Sequence, residues 1–384
     1  MESQIKLYNK LNLEDFVCPN TDNAEYARKY LIPMVVHGVS EYIDNVKTDM
    51  QILMVDDIVL PVTINDGQYD NSYTCSPYTH YISYALEELS TLGNPKLEFV
   101  LKVLLNSLGL LLKLCSINKV ICINNWALST NLYPPLSDTQ VKDITSFLKK
   151  KYMKHAIIFR SINTSDNKQL YNSFRNNGYE MIASRQVYIS DTRHNNSLKS
   201  KARLILRKDA NLLDFHSYRW FDVKHIKQED LPRIIDLYNK LYLKKYSCHN
   251  PQFNTRFIEL ALKEKILELF VLKKDNKIDG VLGFFIRNGV MTTPFFGYDT
   301  DVPKEIGLYR ILSAKLITEA ESRGLILNQS SGAAEFKKCR GAIPYLEYNA
   351  VYIKHLSLIQ KLGWTTIQFF ANKIGSFLLK KYKL

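Results

Sequence analysis

Two apolar periodicities alternate along this chain and mark out its elements. Between Met50 and Asn65, Gln-Ile-Leu-Met-Val and Ile-Val-Leu-Pro-Val-Thr-Ile flank Asp56-Asp57, the pattern of a hairpin with a two-residue turn. Its second strand carries Pro61, which cannot donate to a ladder and so is expected at an edge or a bulge. Leu13 to Val46 mixes polar and apolar residues at helical spacing and predicts one or two opening helices. Helices are expected over Tyr81–Ser90, Pro95–Cys115, Asp138–Lys151 with Ser137 as cap, and Asp166–Asn177 stopped by Gly178. Lys119–Asn124, His155–Arg160 and Tyr179–Ser190 read as strands. Leu97 to Ile117 is the most apolar window; Glu98, Lys102, Asn106 and Lys113 interrupt it, which predicts a buried helix and not a membrane span.

The pattern changes at Asp191 to Ala210, where Arg193, His194, Lys199, Lys201, Arg203, Arg207 and Lys208 crowd a segment poor in acids before Asp209. It reads as a boundary, either a basic linker helix or a contact for phosphate or nucleic acid. Beyond it, Glu229-Asp230-Leu231-Pro232 opens a helix with a stripe of Ile234, Ile235, Leu237, Tyr238 and Leu241. A second helix over Asn254–Glu264 precedes strands at Leu267–Lys273, Gly280–Arg287 and Val290–Tyr298, then a long helix ending at Ser322-Arg323-Gly324. Leu325 to Leu327 reads as a short buried strand with a polar exit at Asn328 to Gly332. Ala333 to Cys339 makes one or two helical turns, Gly341 stops them, and Tyr345 to Tyr352 alternates like a strand.

Composition narrows the class. A chain of 384 residues suits two domains, and 46% hydrophobic with 23% charged residues is globular and not disordered. The net charge of +13 favours anionic partners: a phosphorylated cofactor, nucleic acid or an acidic membrane. Six cysteines contain no Cys-x-x-Cys pair and the eight histidines complete no zinc spacing, so no metal is expected. The start Met-Glu-Ser-Gln-Ile-Lys has neither a basic nor an apolar leader region, which predicts a cytoplasmic protein with free thiols.

Strand, short helix with Phe336-Lys337, Arg340-Gly341-Ala342 and a further strand together resemble the acyl-CoA N-acyltransferase (GNAT) superfamily. The closer resemblance is to its two-domain branch, which includes the Fem-type peptidoglycan bridge transferases. It covers roughly the last third of the chain by motif and the first half by architecture. The resemblance implies a mixed α/β (α+β) fold of two tandem GNAT-like domains, each a mostly antiparallel mixed sheet flanked by helices. They would span 1–190 and 221–355, with a basic linker at 191–220 and an amphipathic tail at 356–384. It also implies an acyl-CoA or acetyl-CoA donor held at the loop after the third strand. There Lys304 takes the first position of the pyrophosphate pattern and Gly307 the middle one, followed by Leu308, Tyr309 and Arg310. Tyr309 replaces the usual last small residue, an erosion seen in the Fem-type branch, whose donor is aminoacyl-tRNA.

Acyl transfer to an amine needs a base, oxyanion donors and an acid for the leaving group. Glu347 is the candidate base; alternation puts it with Asn349 and Val351 on one face, and the candidate acids Tyr348 and Tyr352 on the other. Glu335 and Lys337, with Ser330 and Ser331, form a second candidate group. The tyrosine-rich loop from Asp66 to Tyr84, with Tyr73, Cys75, Tyr78 and His80, and the loop carrying Asn125 and Trp126, are candidate pocket walls or core caps. Cys75 and His80 would also suit a thiol activated by imidazole. The tail repeats Trp364, Ile367, Phe370, Ile374, Phe377 and Leu378 on one helical face, with Lys373, Lys380, Lys381 and Lys383. It either docks on its own domain or lies in an anionic membrane interface at the inner face. The readings are an N-acyltransferase for a small or lipid-like amine, an aminoacyl-tRNA-dependent transferase, and a non-catalytic metabolite- or partner-binding module.

Overall fold

A computed structural model of the chain describes residues 3–193 and 198–377, which divide into two units. The first comprises Met1–Arg185, His249–Pro251 and Leu346–Leu384; the second comprises Gln186–Cys248 and Gln252–Tyr345. His194 and the tail residues Leu378, Lys380, Lys381 and Lys383 lie outside the described residues.

The first unit runs β1 (Ile5–Tyr8), α1 (Asp22–His37), β2 (Asp49–Val55), β3 (Ile58–Asp66), α2 (Tyr84–Glu88), α3 (Pro95–Leu114), β4 (Lys119–Ile123), α4 (Asp138–Lys151), β5 (Ala156–Ile162) and α5 (Lys168–Asn176). Two strands, β6 (Glu180–Asp191) and β12 (Ile343–Tyr352), pass from one unit to the other, and α11 (Leu358–Phe370), continued by a wider helical turn over Ala371–Gly375, ends the described chain of the first. Its strand order is β1-β2-β3-β4-β5-β12, antiparallel except for the β4–β5 pair. Period-two alternation builds two cores from the same strands. Ile121, Ile123, Ile157 and Phe159 face α4 and α5, while Val120, Cys122, Ala156 and Ile158 face α3 and α11. Pro61 lies one residue past the last β3–β4 pair, Val62–Ile123, so the missing N–H costs that ladder nothing.

The second unit comprises α6 (Ser200–Phe215), β7 (Arg219–Asp222), α7 (Leu231–Asn239), α8 (Thr255–Glu264), β8 (Glu268–Lys274), β9 (Lys277–Arg287), β10 (Val290–Tyr298), α9 (Leu308–Ser322), β11 (Ile326–Asn328) and α10 (Ala334–Cys339). Strand order is β6-β11-β10-β9-β8-β7, and only β10–β11 is parallel. Parallel strands need a crossover, and α9 supplies it, burying Leu308, Ile311, Leu312, Leu316 and Ile317 against the sheet. On α7, Tyr238 stacks at 4.9 Å on Phe295 of β10.

Three expectations are corrected. The segment 191–220 is no linker: it holds the end of β6, helix α6 packed on α9, and the start of β7. A domain ending at 355 is not seen either, because β12 changes units at Tyr345–Leu346 and the tail belongs to the first unit, where Trp364 and Ile367 are buried. Helix α3, expected to be buried, leaves Phe99, Val100, Val103, Leu110 and Leu114 exposed. The opening segment forms one α-helix, α1, within the expected range, while the strands β1 and β7, only four residues long each, were not legible.

Gly297 of β10 lies directly beneath α7: a Cβ there would come within 2.6 Å of the Leu237 carbonyl and the Tyr238 amide. Backbone cannot yield as a side-chain tip does, so Gly297→Ala should destabilise the second unit by about 1–3 kcal/mol in urea unfolding. Deleting residues from Gly363 onward should strip Trp364 and Ile367 from the first unit's core and yield aggregated protein in size-exclusion chromatography.

Candidate functional site

In the first unit a bulge sets the chemistry. Between β5 and β12 the register moves from Ile162–Tyr348 to Phe159–Ala350, so Arg160 and Ser161 together oppose Asn349. Ser161 takes φ 64° and its Oγ accepts from the Asn131 amide. Arg160, on the same face as Ile158, and Asn349 then both line a cleft with Tyr73, Cys75, His80 and Tyr81. Helix α3 closes on the Tyr-rich loop at Gly109, where a Cβ would lie 2.9 Å from the Tyr78 hydroxyl.

Arg160 is nine-tenths buried and donates from Nη1 to Asn125 Oδ1 at 2.9 Å; its guanidinium lies 5.7 Å from the Tyr73 ring centroid. Asn125 is fixed in turn, its Nδ2 donating to Thr63 Oγ1 at 2.8 Å and to the Thr74 carbonyl at 2.9 Å. Arg185, at the end of the first unit's part of β6, grips Glu347 through Nε–Oε1 at 2.8 Å and Nη2–Oε2 at 3.3 Å. Its Nη2 also donates to the Ser129 carbonyl at 2.6 Å and to Thr130 Oγ1. Asn349 Nδ2 donates to the Tyr81 hydroxyl at 2.8 Å, and burial raises that hydroxyl's pKa well above the usual phenol range. Among the described residues no carboxylate pairs with Arg160, so Arg160, Arg185 and Glu347 leave one positive charge in excess.

Cys75 and His80 both line the cleft but do not form a catalytic pair. Cys75 Sγ is 3.6 Å from Asn125 Nδ2, while His80 Nε2 is 3.0 Å from Ser184 Oγ. Burial pushes the thiol pKa up; burial, then the Arg160 and Arg185 charges, push the imidazole down to about 3. Trp126 lies outside the cleft: fully buried, it stacks edge-on with Tyr30 at 5.2 Å and donates to Asn124 Oδ1. Tyr78 packs on Tyr69 under the Lys113 ammonium. Tyr348 and Tyr352 face the opposite core beside Tyr171 and Tyr179, away from Glu347, as alternation requires.

In the second unit β10 and β11 pair over Val290–Thr292 and Ile326–Asn328; beyond Thr292, β10 runs to Tyr298 with β9 as its one strand partner among the described residues. The strands part at the polar exit after β11. Ser330 and Ala333 hold φ of 58° and 51° there, and the carbonyls of Gln329, Ser330 and Ser331 converge on the buried Lys337 ammonium. Glu335 is exposed, 3.4 Å from Lys338.

The loop before α9 departs from the expected phosphate cradle. Lys304 is exposed and Leu308 is buried in the core. Gly307 holds φ 74°, so its glycine is favoured by the turn, and a Cβ there would lie 2.9 Å from the Leu212 Cδ1 of α6. Arg310 Nε donates to Asp209 at 2.7 Å, and Arg340 donates to the other oxygen of that fully buried carboxylate at 2.6 Å. Arg340 stacks 3.3 Å over Phe336, whose ring meets Tyr309 at 4.6 Å. Asp209 and this cluster had no signal in the sequence beyond an acid ending a basic run.

The His80 shift carries a sign for stability. Above about pH 6.5 the imidazole is neutral folded or unfolded; as pH falls toward about 3 only the unfolded chain takes the proton, so stability is lost over that window. Urea midpoints should therefore fall between about pH 7 and about pH 4, and His80→Gln should flatten part of that slope; an unchanged slope in the variant would assign it elsewhere.

No family model and no curated protein matches the sequence. Among solved structures, the chain is similar to L-PGS from Bacillus licheniformis at 16% identity over 60% of this chain and 78% of that one, TM-score 0.44. It is similar to FemX at 10% identity over 59% and 78%, TM-score 0.43. A conserved protein of unknown function from Bacteroides thetaiotaomicron VPI-5482 matches at 11% identity over 91% and 99%, TM-score 0.49. Similarity at this level does not identify a reaction.

Proposed function

We propose that the protein is an acyltransferase that moves an acyl group from an acyl-CoA or acetyl-CoA thioester to the amine of a small acceptor. The observation that carries this is the parting of β10 and β11 after three residue pairs, with the crossover helix α9 starting beside the opening. A strand edge without a strand partner offers amides and carbonyls to an amide-bearing donor arm, and a helix N-terminus favours phosphate. Exposed Lys304 adds a cation beside that N-terminus. Glu347 serves the reading as the countercharge that orients Arg185, its oxygens being engaged by the guanidinium.

A second donor, aminoacyl-tRNA, is favoured by one set of contacts. Arg310 is committed to Asp209, Tyr309 to Phe336, and the Gly307 turn to Leu212, which removes three groups from pyrophosphate binding. Lys201, Arg207 and Lys208 stand exposed on α6 of the same unit.

Acetyl-CoA and longer acyl-CoA thioesters should raise the melting temperature, the gain reaching about 2.7 kcal/mol at about a hundredfold excess over Kd. Lys304→Glu should weaken that effect without lowering the ligand-free melting temperature. No shift with any thioester, together with RNA that copurifies at low salt and washes off at high salt, would replace the thioester donor by tRNA. Neither response would leave a non-catalytic binding module.

A further inference from the structure

Helix α3 carries apolar side chains on two opposite sides, one more than a helix needs to dock on its own domain. One side, with Leu108 and Leu112, is buried against the first unit's sheet. The opposite side carries Phe99, Val103, Leu110 and Leu114 at spacings that return to one face, with Val100 beside them, and all five are exposed, Leu114 at 79%. Helix α11 covers the same core beside it: a Cβ on Gly363 would lie 2.6 Å from the Cβ of Cys115, which caps α3. It too buries one side, through Trp364 and Ile367, and exposes Leu358 (84%), Ile359, Leu362 and Phe369. Half of the large apolar side chains exposed among the described residues lie on these two helices. Scattered exposed leucines need no account, but a concentration on two packed helices does.

The charges decide what covers it. From Pro95 to Leu114 and from Leu358 to Gly375 there are five lysines, Lys96, Lys102, Lys113, Lys361 and Lys373, against the single acid Glu98. A second copy of the chain would set lysine against lysine with one acid to relieve it, whereas anionic headgroups would meet the lysines as the apolar side chains enter the acyl boundary. Among the described residues no helix is long and apolar enough to cross a membrane. We propose that α3 and α11 together form a docking face by which the first unit lies on an anionic lipid surface. The tail alone does not make this face; α3 supplies five of its nine exposed apolar side chains.

The full chain should cosediment at low salt with vesicles of phosphatidylglycerol and phosphatidylcholine, come off as salt rises, and stay in solution with phosphatidylcholine alone. Phe99→Ser, Leu110→Ser and Leu114→Ser combined should lower the bound fraction at least about tenfold, and since these side chains are exposed the melting temperature should hold. Lys96→Glu with Lys102→Glu should weaken binding while leaving the apolar face intact. The proposal is overturned if the wild-type chain ignores anionic vesicles at low salt, or if the triple serine variant binds them as well as wild type. It is equally overturned if the wild-type chain forms a dimer that the serine variant abolishes while neither binds vesicles.

Discussion

The grip of Arg185 on Glu347 is the interaction on which the first unit's cleft depends. A buried carboxylate and a buried guanidinium each lose their hydration, and the loss is offset only where geometry and further hydrogen bonds satisfy both. Here the fork closes on Glu347 and its Nη2 also reaches the Ser129 carbonyl and Thr130 Oγ1, so one ion pair ties β12 to the loop after β4. Replacing either partner would leave a buried charge alone, which is why such a pair fixes a conformation even where it adds little net stability.

Asp209 has the corresponding part in the second unit, again with one positive charge in excess. One fully buried carboxylate receives Arg310 from the start of α9 and Arg340 from the end of α10, so three helices are set by one side chain. The arrangement also explains why the loop before α9 differs from an open phosphate cradle. Its arginine is already paired, and its glycine makes room for Leu212.

The two bulged or diverging places, β5 against β12 and β10 against β11, are where regular pairing stops and polar groups are left for other uses. In each, residues other than glycine hold positive φ: Ser161 in the first, Ser330 and Ala333 in the second. Such backbone persists where surrounding contacts determine it: the Asn131 backbone amide donates to Ser161 Oγ in the first, and the Lys337 ammonium donates to the Ser330 carbonyl in the second.

The chain's own pattern determined what depends on neighbours in sequence. The Asp56-Asp57 hairpin, the Ser137 cap with its Gln140 partner, the Gly178 stop, and the strand–helix–strand run through β11, α10 and β12 all follow from side-chain period and turn chemistry, which act within a few residues. The facing of Glu347 and Asn349 away from Tyr348 and Tyr352 was equally legible, because a strand alternates whatever it pairs with. Tertiary structure alone decided which charges meet. Arg185 and Glu347 are 162 residues apart, and Asp209 and Arg340 131, separations at which no periodicity carries information. It also decided that α3 is covered on one side only, since an apolar stripe states that a face avoids water but not what will cover it.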